Sequence, residues 1–153
     1  MNNVKPLRLV SQIKDLLDDI DSNLVYVLKE LPRNALDAEL RRQVTLICQA
    51  FHHTIEEKRG EVALATLILR FDSDVNSQDI PPPVTLLVRS ICDGLNTYCF
   101  EIQTAVSLLR KASMMVGKSS MSTVMILVEE SAANILISCS SFQEIFQSLV
   151  PNL

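Results

Sequence analysis

The sequence predicts an all-α protein: an antiparallel bundle of four long helices plus one short apolar helix, with heptad-like packing. Apolar residues recur at alternating spacings of three and four, the period of one helix face, along most of the chain. Only 3 glycines and no tryptophan occur in 153 residues, which disfavours a turn-rich β fold. Apolar residues make up 48% of the chain, enough to fill a core, so we expect a single domain over residues 1–153.

Two helices are predicted in the first half. The first runs from about Pro6, which suits a first helical turn, to Leu31, because Pro32 cannot continue it. Its expected core stripe is Val10, Ile13, Leu17, Ile20, Leu24, Val27 and Leu31. The second begins after Asn34, a candidate N-cap. Its expected stripe is Leu36, Leu40, Val44, Ile47, Phe51 and Ile55.

Gly60 leaves open whether the second helix continues beyond it. Residues 61–71 (EVALATLILRF) are apolar on most of a helical circumference and are predicted as a separate short helix that needs burial on several sides. A strand is the alternative, since periodicity cannot classify short apolar runs, but Ala, Leu and Glu favour helix. Residues 72–83, acidic and closed by three prolines, are predicted as a linker inside the domain.

Two long helices follow the linker. The third has the expected stripe Val84, Val88, Ile91, Leu95, Tyr98, Ile102, Ala105, Leu109, Ala112 and Val116, with a weak point at Gly94. The last runs from about Ser120 to Leu149. Its expected stripe is Met121, Val124, Val128, Ser131, Ile135, Ser138, Phe142, Ile145 and Leu149.

The strongest motif match is the segment 112–119 (ASMMVGKS), a loose form of the phosphate-binding loop. That loop needs a buried strand before it, whereas a helical stripe precedes this one. Gly117-Lys118-Ser119 is therefore predicted as a helix C-cap followed by an N-cap, and nucleotide handling remains a less favoured alternative. Residues 72–78 begin like a calcium loop, but the required glycine and the bidentate glutamate are missing.

Neither a metal site nor a catalytic site is predicted. Cys48, His52 and Glu56 share one helix face, with His53 adjacent, but a zinc site usually needs four ligands. No spacing identifies a nucleophile with its base, and three glycines leave little backbone for an oxyanion hole. We therefore expect no cofactor and no enzymatic activity.

Charge and targeting signals restrict the partners and the compartment. The net charge is −4, and Arg41, Arg42, Lys58 and Arg59 are interspersed with acids, so a salt-bridged surface is favoured over phosphate contacts. A nucleic-acid-associated, for instance viral, factor is the alternative. The apolar run 124–137 carries Glu129 and Glu130, so no membrane role is expected. Four cysteines without a disulfide pattern indicate free thiols, hence the cytoplasm or nucleus.

The last helix carries the most informative signal. From Ser119 to Leu153 there is no Lys or Arg, and only three acids. Such a helix is either central in the bundle or a docking surface, since interface cores are depleted in charge. We predict a non-enzymatic interaction module, an adaptor or scaffold subunit, that binds a partner helix or a second copy. The predicted binding residues lie off the core stripe: Met125, Ile126, Ala133, Ile137 and Phe146.

Overall fold

The computed structural model describes residues 4–31, 38–71, 80–116 and 120–149. They form four helices: α1 (Val4–Glu30), α2 (Ala38–Phe71), α3 (Pro82–Val116) and α4 (Ser120–Leu149). No strand occurs in these ranges, which confirms the all-α class. The helices have 27 to 35 residues, so each is about 40 to 53 Å long at about 1.5 Å per residue. Over the same ranges, none of them is both long and apolar enough to cross a membrane.

The helices form a closed ring, in which α1 contacts α2, α2 contacts α3, α3 contacts α4, and α4 contacts α1. Consecutive helices are antiparallel, because residue numbers that rise along one helix contact residue numbers that fall along the next. The pairs are Asp18–Arg59 and Asp21–His52 across α1–α2, Phe51–Tyr98 and Glu61–Ser90 across α2–α3, and Asn96–Gln143 and Arg110–Glu129 across α3–α4.

One cluster of buried side chains fills the centre of the ring. All seven expected core residues of the first predicted helix are buried, six of them in α1 and Leu31 directly after it. On α3 the expected stripe is buried from Val84 to Leu109, except that Tyr98 is half-buried. It stacks on Phe51 of α2, with ring centroids 5.0 Å apart. These stripes bury their apolar faces against the neighbouring helices, which is the main source of helix stability in a bundle.

The expected stripe of α4 is wrong at two positions. Ala132 and Cys139 are buried, whereas Ser131 and Ser138 are half-buried. Both choices keep the alternation of three and four between Val128, Ile135 and Phe142, so spacing alone does not separate them. The small apolar side chains take the inner positions because a hydroxyl there would need a hydrogen-bond partner.

The separate short helix is also a wrong prediction, because α2 is continuous through Gly60. Val62, Ala65 and Leu69 extend the buried stripe of the first part of α2. Burying three such side chains outweighs the cost of about 1 kcal/mol for a glycine inside a helix. The segment is not buried on several sides either, since Leu64, Leu67 and Phe71 are exposed.

The predicted linker ends earlier than expected. Pro82 and Pro83 form the first turn of α3, where the missing N–H groups would have no helical partner anyway. The carbonyl of Pro81 accepts hydrogen bonds from the N–H groups of Val84 and Thr85, at 2.9 and 3.1 Å. The rest of the predicted linker, residues 72–79, lies outside the described residues.

Candidate functional site

The outer face of α4 brings together three of the five predicted binding residues. Ile126 and Ile137 are 46% and 64% exposed, and their separation of 11 residues is about three helical turns, or about 16 Å. Ala133 lies between them and is half-buried. Phe146 is not part of this face, because it is partly buried against the core. The side chain of Met125 lies outside the described residues.

Few charges accompany this face. Glu129 accepts a hydrogen bond from Arg110 Nε of α3 at 2.8 Å, so its charge is paired at the exposed edge of the α3–α4 interface. Glu130 is exposed and lies between Ile126 and Ala133. The exposed positions of α1 provide a reference, because Val25 is the only large apolar side chain on them among residues 6–30, whose side chains the structure describes. The other exposed residues of α1 are Arg8, Ser11, Gln12, Lys14, Asp15, Asp19, Ser22 and Lys29.

A shallow groove of about 330 Å³ lies between α2 and α3. Its walls are formed by Leu46, Ile47, Ala50, Phe100, Glu101 and Thr104. Phe100 is 74% exposed. This groove was not predicted, because most of its residues lie off the core stripes. The available signal was a leucine and a phenylalanine at off-stripe positions of adjacent helices.

A polar cluster joins α1 to α2. Asp21, whose side chain is only 12% exposed, contacts Nδ1 of His52. Arg59 donates to Asp21 at 3.3 Å, to Asp18 at 3.0 Å and to Glu56 at 2.7 Å. One potential ligand atom from each of Asp21, His52 and Glu56 lies within 4.8 Å of the others.

Cys48 does not join that cluster, although it shares a helix face with His52 and Glu56. Cys48 lies in the core, and burial raises the pKa of its thiol to about 12. Only the thiolate is a good metal ligand, so Cys48 is inert at neutral pH. Asp21, and not Cys48, is the third side chain that converges with His52 and Glu56. No spacing within α2 could reveal it, because it comes from another helix.

A second polar cluster joins α2 to α3. Lys58 Nζ lies 3.3 Å from Glu61 Oε1 and 3.1 Å from Ser90 Oγ, and the Ser90 hydroxyl donates to the same Glu61 oxygen at 3.0 Å. The Lys58 side chain is only 14% exposed. It passes Gly94 so closely that a Cβ there would lie 2.6 Å from Lys58 Cε. The missing side chain of Gly94 thus makes room for the lysine.

Thiols and amides join α3 to α4. Gln143 of α4 hydrogen-bonds Asn96 and contacts the Cys92 sulfur of α3. A hydrogen bond from the Cys139 thiol lowers the pKa of Cys99 to about 7, and the same bond raises the pKa of Cys139. The Cys99 thiol also donates to the Leu95 carbonyl at 3.3 Å. All four cysteines are free.

Three of the four basic residues considered for phosphate contacts are held by acids. Arg42 pairs with Glu39 at 2.7 Å, which raises the pKa of the guanidinium, while Lys58 and Arg59 belong to the two clusters above. The Gly117-Lys118-Ser119 turn lies outside the described residues. No protein-family model matches the chain, and neither a curated protein nor a solved structure is significantly similar to it.

Proposed function

We propose that this chain is a non-enzymatic helical interaction module, an adaptor or scaffold subunit. It docks a partner helix, or a second copy of itself, on the outer face of α4. The observation that carries the proposal is the exposure of Ile126 and Ile137 on one face, with Ala133 between them. Their spacing of i, i+7 and i+11 is the pattern by which one helix lies along another.

The outer face of α4 exposes more apolar surface than that of α1. Leaving apolar surface in water forgoes about 25 cal/mol per Å² relative to burying it. Apart from Val25, the exposed described positions of α1 carry charged and polar side chains, whereas α4 exposes Ile126, Leu127 and Ile137. A small residue at position 133 would let the backbone of a partner helix approach closely. Glu130 at the edge would favour a partner with a basic residue opposite it.

The test replaces Ile137 by aspartate. Because Ile137 is mostly exposed, Ile137→Asp should keep the helical circular dichroism signal and the unfolding temperature. It should abolish self-association, measured by light scattering after gel filtration, or the capture of partners by a photo-crosslinking residue placed at position 130. The matched control is Ser22→Asp on the exposed side of α1, which adds the same charge and should leave binding unchanged.

A variant in the α2–α3 groove can contradict the proposed docking on α4. If Phe100→Asp abolishes binding while Ile137→Asp does not, the partner docks on the groove and the α4 proposal is wrong. If neither variant changes the association state or the crosslinked partners, the interaction function loses its support.

The alternatives have weaker support. Three of the four basic residues considered for phosphate contacts are paired with acids, which weakens the case for nucleic-acid binding; salt-sensitive RNA or DNA binding would favour it. Nucleotide handling depends on Lys118, and a nucleotide affinity lost in Lys118→Ala would favour that function. The proposal places the protein in a reducing compartment, the cytoplasm or nucleus, because its thiols are free.

A further inference from the structure

The α1–α2 cluster has the geometry of a metal site. His52 and Glu56 are one helical turn apart on α2, the spacing at which two side chains can hold the same ion. Asp21 of α1 reaches them from the other side of the interface, and the three ligand atoms lie within 4.8 Å of one another. Among the described residues this is the only set of three metal-ligating side chains that converge in this way.

The charge of the cluster favours a cation. Three carboxylates, those of Asp18, Asp21 and Glu56, share the guanidinium of Arg59. Lys14 adds a second positive charge at the exposed edge, 3.8 Å from Asp18. The three carboxylates outnumber these two cations by one, so an excess of negative charge remains around the largely buried Asp21. A divalent ion would neutralise it.

Arg59 does not block such a site. Each carboxylate has two oxygens and about four lone-pair positions, so Asp21 and Glu56 can bind Arg59 and a metal ion at the same time. Arg59 then acts as the outer-shell partner that orients both carboxylates, as hydrogen-bonded groups around metal ligands commonly do. The contact between His52 Nδ1 and Asp21 would open to admit the ion between them.

We infer that Asp21, His52 and Glu56 form a binding site for a divalent transition-metal ion of the Zn²⁺ type, which fastens α1 to α2. One imidazole and two carboxylates are ligands that zinc accepts, and three protein ligands plus water complete its tetrahedral shell. The ion would bind the folded chain and raise its unfolding temperature with increasing concentration. This site is independent of the proposed docking face on α4.

The chain contains its own control for this site. His53 and Glu57 repeat the His–Glu spacing one residue further along α2, with Nε2 of His53 3.1 Å from Glu57. Both side chains are exposed and belong to no converging set of three in the described residues. A comparison of the two pairs therefore isolates the contribution of Asp21 from that of a surface histidine.

The experiment is a Zn²⁺ titration of the full chain by calorimetry, in the Cys99→Ser background so that the most acidic thiol cannot compete. We expect one saturable site. Asp21→Asn, His52→Ala and Glu56→Gln should each weaken it by at least about tenfold, and His53→Ala and Glu57→Gln by less than about twofold. The imidazole NMR signals of His52, and not those of His53, should shift with Zn²⁺.

The inference is overturned if no saturable binding occurs, or if the His53 and Glu57 variants weaken binding as much as the His52 and Glu56 variants do. Glu56 is 48% exposed, so Glu56→Gln preserves the fold and decides the result even where Asp21→Asn destabilises the protein. Circular dichroism of each variant checks this.

Discussion

The polar contacts that α2 makes with α1 and α3 differ in kind from those between α3 and α4. On α2, charged side chains cross to both neighbours: Arg59 to Asp18 and Asp21 of α1, and Lys58 and Glu61 to Ser90 of α3. Between α3 and α4, the amide of Gln143 contacts the neutral groups of Asn96 and Cys92, and Arg110–Glu129 is an exposed ion pair.

This difference shows that the low charge of α4 is not confined to its outer face. Besides the Arg110–Glu129 pair, α4 contacts α3 through the neutral amide of Gln143, whereas α2 contacts its neighbours through the charged Arg59, Lys58 and Glu61. A partly buried ion pair leaves an uncompensated charge when one partner is removed, whereas a thiol or amide loses only a modest hydrogen bond. We therefore expect substitutions to affect the two regions through different observables: stability at α2 and thiol chemistry at α4.

The largest expected contrast concerns cysteine reactivity. The Cys139 thiol holds the pKa of Cys99 near 7, while burial holds that of Cys48 near 12, so their thiolate fractions at neutral pH differ by orders of magnitude. Alkylation by iodoacetamide, mapped by mass spectrometry, should modify Cys99 at least a hundredfold faster than Cys48. The rate at Cys99 should rise as the pH increases through about 7.

The variant Cys139→Ala tests the cause. Without the donated hydrogen bond, the pKa of Cys99 should rise towards its usual range, and the rise in alkylation rate should move to higher pH. An unchanged pH profile would show that Cys139 does not control Cys99.

A smaller effect is expected at the α2–α3 cluster. Glu61→Gln removes the charge that compensates Lys58, whose side chain is largely buried. We expect a loss of about 2 kcal/mol in the free energy of unfolding, measured by urea denaturation. The control is Glu57→Gln, because Glu57 is exposed and pairs only along its own helix, with His53. It should change stability by less than about 0.5 kcal/mol, as is usual for surface substitutions. Equal effects of the two variants would contradict the role assigned to the cluster.

The smallest effect compares the two helical glycines. A Cβ at Gly60 meets no atom within 4 Å, so Gly60→Ala should stabilise α2 by about 0.5 to 1 kcal/mol through helix propensity alone. At Gly94 the same change would displace Lys58 from Ser90 and Glu61, and this loss offsets the gain. Thermal unfolding should therefore rank Gly60→Ala above Gly94→Ala. The reverse order would mean that Lys58 adapts without cost.

The fold was predictable where large apolar residues repeat without ambiguity. On the first predicted helix every expected core position is buried, because seven branched apolar side chains mark one face. The prediction failed where small residues compete, as at Ser131 against Ala132. It failed again at Gly60, where a local break signal was overridden by the burial of Val62 and Leu69. The spacing of apolar residues does not show whether burial outweighs the cost of a glycine inside a helix.

The sites were less predictable than the fold because they depend on residues distant in sequence. Ile126 and Ile137 could be selected from α4 alone, since their exposure follows from the period of one helix. The metal-ligating set could not, because Asp21 lies 31 residues before His52. The α2–α3 groove likewise needs Leu46 and Phe100 from two helices, and only the packing brings them together.

The closed ring of four helices also has a kinetic consequence. Three of its four extensive interfaces join helices that follow one another in sequence, and only the α1–α4 interface joins the first helix to the last. Local interfaces form after short loop closures, whereas the α1–α4 interface requires the two ends of the chain to meet. We expect folding within microseconds to milliseconds, as in other proteins rich in local contacts, with the docking of α4 onto α1 as the step of highest entropic cost.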